Sequence, residues 1–155
     1  MTDPVPTSRH YTHQHCQTQT EVSGARFATV SNPLAGVKEI RCDQCGDKYP
    51  IEDFTWSDTG ESIELYYKRN SKKGSEMDTF FCSDPGMFFL IGLGFFLGVM
   101  FGAMICFVMR SSVAVVLAIL LGLAGAAAGA YIRQKILVPG IIQRVCGVSD
   151  TRLLQ

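Results

Sequence analysis

The chain has 155 residues, is formally neutral and is 47% apolar. Its fourteen basic and fourteen acidic side chains form no basic patch, which argues against a nucleic-acid partner. The apolar residues concentrate between Met87 and Ile132, leaving a polar segment of 86 residues before that stretch and a tail of 23 after it.

Residues 1–24 form the first section, a polar arm rich in Pro, Thr and Gln that holds all three histidines. With so little to bury, it is expected to be flexible or loosely docked. His10, His13, His15 and Cys16 crowd together within it, and one or two of them are candidates to complete a metal site. No apolar core of a signal peptide occupies the first 30 residues, so the first apolar span is expected to act as the targeting signal.

The second section, residues 25–86, reads as a small cytosolic domain of zinc-ribbon-like β structure. Asn32, Pro33 and Gly36 mark turns, and Val37 to Ile40 alternates like a strand that leads into Cys42-Asp43-Gln44-Cys45-Gly46. A C-x2-C followed by Gly is a knuckle, a tight turn that aims two thiolates at one tetrahedral ion. Ile63, Leu65 and Tyr67 alternate with polar residues, and Asn70 to Gly74 reads as a hairpin turn. A returning strand then brings Cys82 to the second half of the site, where position 85 is Pro rather than a second cysteine.

The expected ligand set is therefore Cys42, Cys45 and Cys82 with a fourth donor from elsewhere. Cys16 or His15 is favoured because thiolate and imidazole suit zinc; His13 and, behind it, Asp84 are the other candidates. The implied cofactor is a structural Zn2+, since a domain of this size has a marginal core.

The third section, residues 87–132, is the clearest. Met87–Met109 is a run of 23 residues without a charge and Val113–Ile132 one of 20. At about 1.5 Å per residue each covers the roughly 30 Å of bilayer hydrocarbon. Arg110, Ser111 and Ser112 leave room only for a tight turn, so an antiparallel transmembrane hairpin is predicted, with both chain ends on one side. Gly94, Gly98 and Gly102 recur every four residues in the first span and Gly125 and Gly129 in the second. That spacing predicts close packing of the two helices, with homo-oligomerisation through the same faces as the lesser outcome.

Lys68, Arg69, Lys72 and Lys73 precede the hairpin, and Arg133, Lys135 and Arg144 follow it, against Arg110 alone in the turn. The positive-inside tendency places both termini in the cytosol, a reducing compartment in which cysteines are thiols or metal ligands. The last section, residues 133–155, is a basic tail predicted to lie in the membrane interface. Its Arg133, Lys135 and Arg144 would face anionic headgroups such as phosphoinositides, and Pro139-Gly140 is expected to break it from the second span.

The run His13-Gln14-His15, followed by Ala28, Thr29, Asn32, Pro33, Ala35, Gly36, Lys38, Arg41 and Cys42, resembles the transmembrane phosphatidylinositol-4,5-bisphosphate 4-phosphatases. The resemblance implies two terminal transmembrane helices, cytosolic termini, a late endosomal or lysosomal membrane, and 4-phosphate hydrolysis by a cysteine nucleophile. The chain departs from that family in keeping one cysteine pair and in lacking a C-x5-R before the membrane. Its one C-x5-R is Cys146 to Arg152, in the tail. That spacing can wrap a phosphate, but only Leu153, Leu154 and Gln155 follow it to support the loop.

Three functions follow from these features. The favoured one is a membrane-anchored cytosolic zinc module that recruits a protein partner. The alternatives are a phosphoinositide 4-phosphatase and a structural or pore-forming small membrane subunit.

Overall fold

A computed structural model describes residues 4–109 and 113–154, so the turn at Arg110, Ser111 and Ser112 lies outside the described residues. The chain divides into two units. One joins residues 1–79 to residues 141–155, and the other comprises residues 80–140.

The first unit begins with an antiparallel pair, β1 (Ser8–His13) and β2 (Gln19–Ser23), in which Ser8 faces Ser23 and Thr12 faces Gln19. Along β1 the side chains of Tyr11 and His13 are buried while that of His10 is exposed, the period of two that a half-buried strand requires. On its other edge β1 pairs with β5 (Phe54–Trp56), giving the order β2-β1-β5. The stretch expected to be a flexible arm is thus the central strand of the sheet. Tyr11 and Val22 supply the apolar surface that composition averaged over 24 residues conceals.

Helix α1 (Gly24–Val30) follows, and then a turn in which Asn32 Oδ1 accepts the Leu34 amide at 3.0 Å. A separate two-stranded ribbon pairs β3 (Glu39–Arg41) with β4 (Lys48–Pro50). The stretch expected as the next strand is helix α2 (Ile63–Asn70). Ile63, Tyr66 and Tyr67 are its buried residues, a spacing of three and four, whereas Leu65 is 56% exposed. Period 3.6 therefore overrides the apparent alternation. The Tyr66 and Tyr67 hydroxyls donate to the carbonyls of Ser31 and Val30, at 2.9 and 2.8 Å, and clamp α2 against the end of α1.

The expected returning strand is also helical, as α3 (Glu76–Cys82). Ser75 caps it reciprocally: Asp78 Oδ2 accepts the Ser75 amide at 2.9 Å, and Ser75 Oγ accepts the Asp78 amide at 3.2 Å. Asp78 also pairs with Arg144.

The tail folds onto this unit instead of forming a separate interfacial section. Helix α6 (Val138–Cys146) buries Ile141, Ile142 and Val145, and Leu154 joins the main core. Arg9 closes the seam. Its guanidinium lies 4.1 Å above the Trp56 ring, holds Asp58 through Nε at 2.9 Å and donates to the Leu154 carbonyl at 3.4 Å. The apolar stripe read as membrane-facing was therefore a core stripe. Nor does Pro139-Gly140 break the chain from the second span, because a π turn (Arg133–Leu137) runs into α6, and the widened turn lies next to the proline that cannot donate an amide.

The second unit holds α4 (Asp84–Met109) and α5 (Val113–Ile132). At 26 and 20 residues, both are long and apolar enough to cross a membrane. Only 6% of the most apolar window of either is buried. Phe88, Met104 and Leu123, at 67%, 61% and 57% exposure, face outward, which suits a lipid surround and not a soluble core.

A Cβ on Gly94 would strike the Gly125 carbonyl, one on Gly98 the Leu121 carbonyl, one on Gly102 Ala118, and one on Gly129 the Leu90 carbonyl. The partners descend along α5 as the glycines ascend α4, so the helices are antiparallel and pack backbone to backbone. Arg133 donates to the carbonyls of Phe81, Cys82 and Ser83 at 3.1, 2.9 and 3.0 Å, satisfying acceptors left over at the end of α3.

Candidate metal centre

The turn between β1 and β2 and the turn between β3 and β4 are the same structure. In the second, the Cys42 amide donates to the Asp47 carbonyl at 3.0 Å and the Gly46 amide to the Cys42 carbonyl at 2.9 Å. In the first, the His13 amide donates to the Thr18 carbonyl at 3.0 Å and the Gln17 amide to the His13 carbonyl at 2.8 Å. Residues 13–18 thus repeat these two backbone bonds of residues 42–47. His13 stands where Cys42 stands, and Cys16 where Cys45 stands.

The fifth position of each turn is left-handed. Gly46 has φ +81°, and Gln17, at φ +57°, has the one positive φ outside glycine among the described residues. The Gln17 amide group donates to the Gln14 carbonyl at 2.6 Å and braces this strained corner.

The two turns bring His13, Cys16, Cys42 and Cys45 together, with their ligand atoms all within 4.8 Å of one another. His13 Nδ1 lies 3.2 Å from Cys16 Sγ and 3.6 Å from Cys45 Sγ, and Cys16 Sγ lies 3.6 Å from Cys42 Sγ. A tetrahedral zinc site with bonds of about 2.3 Å to sulfur and 2.0 Å to nitrogen has edges of about 3.8 Å and 3.5 Å. The His13–Cys16, His13–Cys45 and Cys16–Cys42 edges, at 3.2, 3.6 and 3.6 Å, lie close to those values. The Cys45 amide points at Cys42 Sγ at 3.5 Å, the backbone donation a knuckle gives its thiolate.

His13 is fully buried, its ring stacked 4.7 Å from Phe54 and 4.4 Å from Tyr49. Its Nε2 has no hydrogen-bond partner among the described residues. The Nδ1 edge is therefore the one that serves the cluster, and ligation there leaves the ring proton on Nε2 among aromatic rings.

Electrostatics point the same way. A hydrogen bond from the Thr18 side chain, assisted by those with His13 and Cys42, brings the Cys16 thiol down to about 6 from its ordinary 9.0. Burial, followed by hydrogen bonds with Cys16 and Cys42, pushes Cys45 up to about 11. A dication at the centre of the group would favour the thiolate form of every cysteine in it.

The structure thus unites Cys16, Cys42 and Cys45 of the expected ligands and supplies His13 as the fourth. Cys82 is not in the group; it ends α3, because residues 76–82 coil instead of returning as a strand. His15 is exposed, its ring centre 6.1 Å from that of His13, and Asp84 opens α4. The signal for His13 lay in spacing: His13-x2-Cys16 matches Cys42-x2-Cys45.

The C-x5-R of the tail is differently engaged. Cys146 donates to the Asn70 carbonyl at 3.6 Å, and burial pushes its thiol up, away from a nucleophilic thiolate. Arg152 is held by its own neighbour Asp150, at 3.0 Å from Nε and 2.6 Å from a terminal nitrogen. Of the three basic residues assigned to headgroups, Arg133 is bonded to backbone carbonyls, Arg144 pairs with Asp78, and Lys135 is exposed.

No family model, curated protein or solved structure matches the chain.

Proposed function

We propose that the protein is a membrane-anchored zinc module acting as a non-catalytic adaptor on the cytosolic face of a membrane. The observation that carries this reading is the pair of turns with matching backbone hydrogen bonds that bring the ligand atoms of His13, Cys16, Cys42 and Cys45 within 4.8 Å of one another. Three thiolates and an imidazole form a closed, soft donor set, which favours zinc in a structural role and leaves no position for a reacting water. The ion would tie the β1-β2 hairpin to the β3-β4 ribbon in a unit whose own core is small.

The hairpin supplies the anchor. An antiparallel pair of spans returns the chain to the side it left, in keeping with Arg9 bonding to Leu154, and Ser31 lying 3.4 Å from Thr151, across the gap in sequence. The basic residues flanking the spans favour the cytosol for that side, where free thiols such as these persist. Kinship to the phosphoinositide 4-phosphatases, and with it a late endosomal or lysosomal address, rests on the resemblance between Ala28 and Cys42 and on His13-Gln14-His15. Recruitment of a cytosolic protein is the role left to a metal-clipped domain tethered at a membrane.

The test is zinc content and protease resistance of the full chain purified in mild detergent. The reading expects about one zinc per chain, and loss of both zinc and resistance in Cys42→Ser. Less than half an equivalent of zinc in the parent, with equal resistance in the variant, overturns it.

A further inference from the structure

We propose that the four-donor site is a peroxide-responsive switch in which Cys16 and Cys42 close a disulfide between the two knuckles and expel the metal. This rests on the zinc reading and adds a mode of regulation to it. The decisive geometry is the 3.6 Å between Cys16 Sγ and Cys42 Sγ, each at the tip of a different hairpin. About 1.5 Å of approach brings that pair to the ~2.05 Å of a sulfur–sulfur bond. Cys16 sits in the turn that joins β1 to β2 and Cys42 in the turn that joins β3 to β4.

Exposure divides the roles. Cys16 is half-buried and open to a small oxidant, whereas Cys42 is 0% exposed. The Cys16 thiolate attacks one oxygen of hydrogen peroxide, the O–O bond breaks, hydroxide leaves, and Cys16 becomes a sulfenic acid. The Cys42 thiolate then attacks the Cys16 sulfur, the S–S bond forms, and the S–O bond breaks with loss of a second hydroxide. Two thiolates have lost one electron each, and the two peroxide oxygens have gained them.

The rival link joins Cys42 to Cys45 within one knuckle, and peptide mapping separates it from the link across the knuckles. Cys45 Sγ is turned to His13 Nδ1, at 3.6 Å, and the Cys45 amide already donates to Cys42 Sγ. Closing the bond across the knuckles removes two of four donors. His13 and Cys45 remain, too few to retain a tetrahedral structural ion. The hairpins stay stapled together, so the domain passes from a metal clip to a covalent one and back on treatment with a dithiol reductant.

The experiment treats the full, zinc-loaded chain in detergent micelles with hydrogen peroxide. Released zinc is followed by a chromogenic chelator and the cysteines by peptide mass mapping under non-reducing conditions. The proposal expects one zinc released per Cys16–Cys42 linked peptide formed, recovery of zinc binding after dithiothreitol, and the same linked peptide in Cys45→Ser. A Cys42–Cys45 link, a sulfinic acid at Cys16 with no link, or zinc release without any disulfide overturns it. If the parent holds no zinc, the function proposed above fails by itself; the peptide map of the metal-free chain still shows whether Cys16 and Cys42 join, and absence of that link there refutes the switch.

Discussion

The equivalence of the two knuckles makes a prediction with opposite signs at matching positions. Gln17 and Gly46 occupy the same left-handed corner, at φ +57° and +81°. A side chain in that conformation costs about 1–2 kcal/mol, because Cβ crowds the neighbouring carbonyl. Replacing Gln17 by Gly relieves this, while the freer unfolded chain takes back about 0.4–1 kcal/mol and the lost bond to the Gln14 carbonyl about 0.5 kcal/mol. The net expectation is a gain of about 0.5 kcal/mol.

At Gly46 nothing lies within 4 Å of an added Cβ, so Gly46→Ala meets the backbone penalty and no clash. It should lose about 1 kcal/mol after the same entropy correction. For a unit of 94 residues, residues 1–79 with 141–155, these changes correspond to about +3 °C and −6 °C in melting temperature. Thermal unfolding of the zinc-loaded full chain in detergent, followed by the fluorescence of the single tryptophan Trp56, measures both. Destabilisation in Gln17→Gly, or shifts of the same sign in the two variants, would refute the proposed equivalence.

Other outcomes follow from the packing and the ion pairs. Ile142→Ala should cost the unit of residues 1–79 and 141–155 about 2–4 kcal/mol in a denaturant titration, because Ile142 is 8% exposed within the protein; an unchanged midpoint would return the tail to the membrane interface. Gly98→Leu should separate the helix pair, since its Cβ already meets the Leu121 carbonyl; crosslinking between cysteines introduced at Phe95 and Gly122, where two ring atoms of Phe95 lie 2.9 and 3.1 Å from a Cβ placed at Gly122, should fall severalfold. The Ser75 amide, and after it the Ser75 hydroxyl and Arg144, hold the Asp78 carboxyl below its ordinary 3.8. Its contribution to stability is thus complete above that value and disappears as pH falls through the lower folded value, a dependence that Asp78→Asn should flatten on the acid side of the ordinary carboxylate range in acid-unfolding curves.

The two long apolar helices were plain in the sequence because two uninterrupted apolar runs need no tertiary context to be recognised. Only a residue without Cβ admits a carbonyl as close as those beside Gly94, Gly98 and Gly129. The metal site was legible by halves. Cys42-x2-Cys45 followed by Gly46 announces a knuckle, whereas His13-x2-Cys16 followed by Gln17 conceals one, because Gln gives no sign of a left-handed corner. Composition misled at the same place: a segment dominated by Thr, Gln and His still places Tyr11, His13 and Val22 in the core as alternate residues of two strands. Between Ile63 and Cys82 the apolar residues fit period two nearly as well as 3.6, and the cap at Ser75 with the tyrosine hydroxyls of α2 decides for helix. The tail was the hardest to read, because a stripe such as Ile141, Ile142 and Val145 beside Arg144 describes a core helix and an interfacial one equally well.

The central claim is the identity of the four ligands, and X-ray absorption at the zinc edge on the full chain tests it most directly, read together with metal content in Cys82→Ser and His13→Ala. The account predicts a first shell of three sulfurs and one nitrogen, full zinc occupancy in Cys82→Ser, and loss of the nitrogen shell with weakened binding in His13→Ala. A shell of four sulfurs, or zinc that vanishes with Cys82 and survives unchanged without His13, would contradict it.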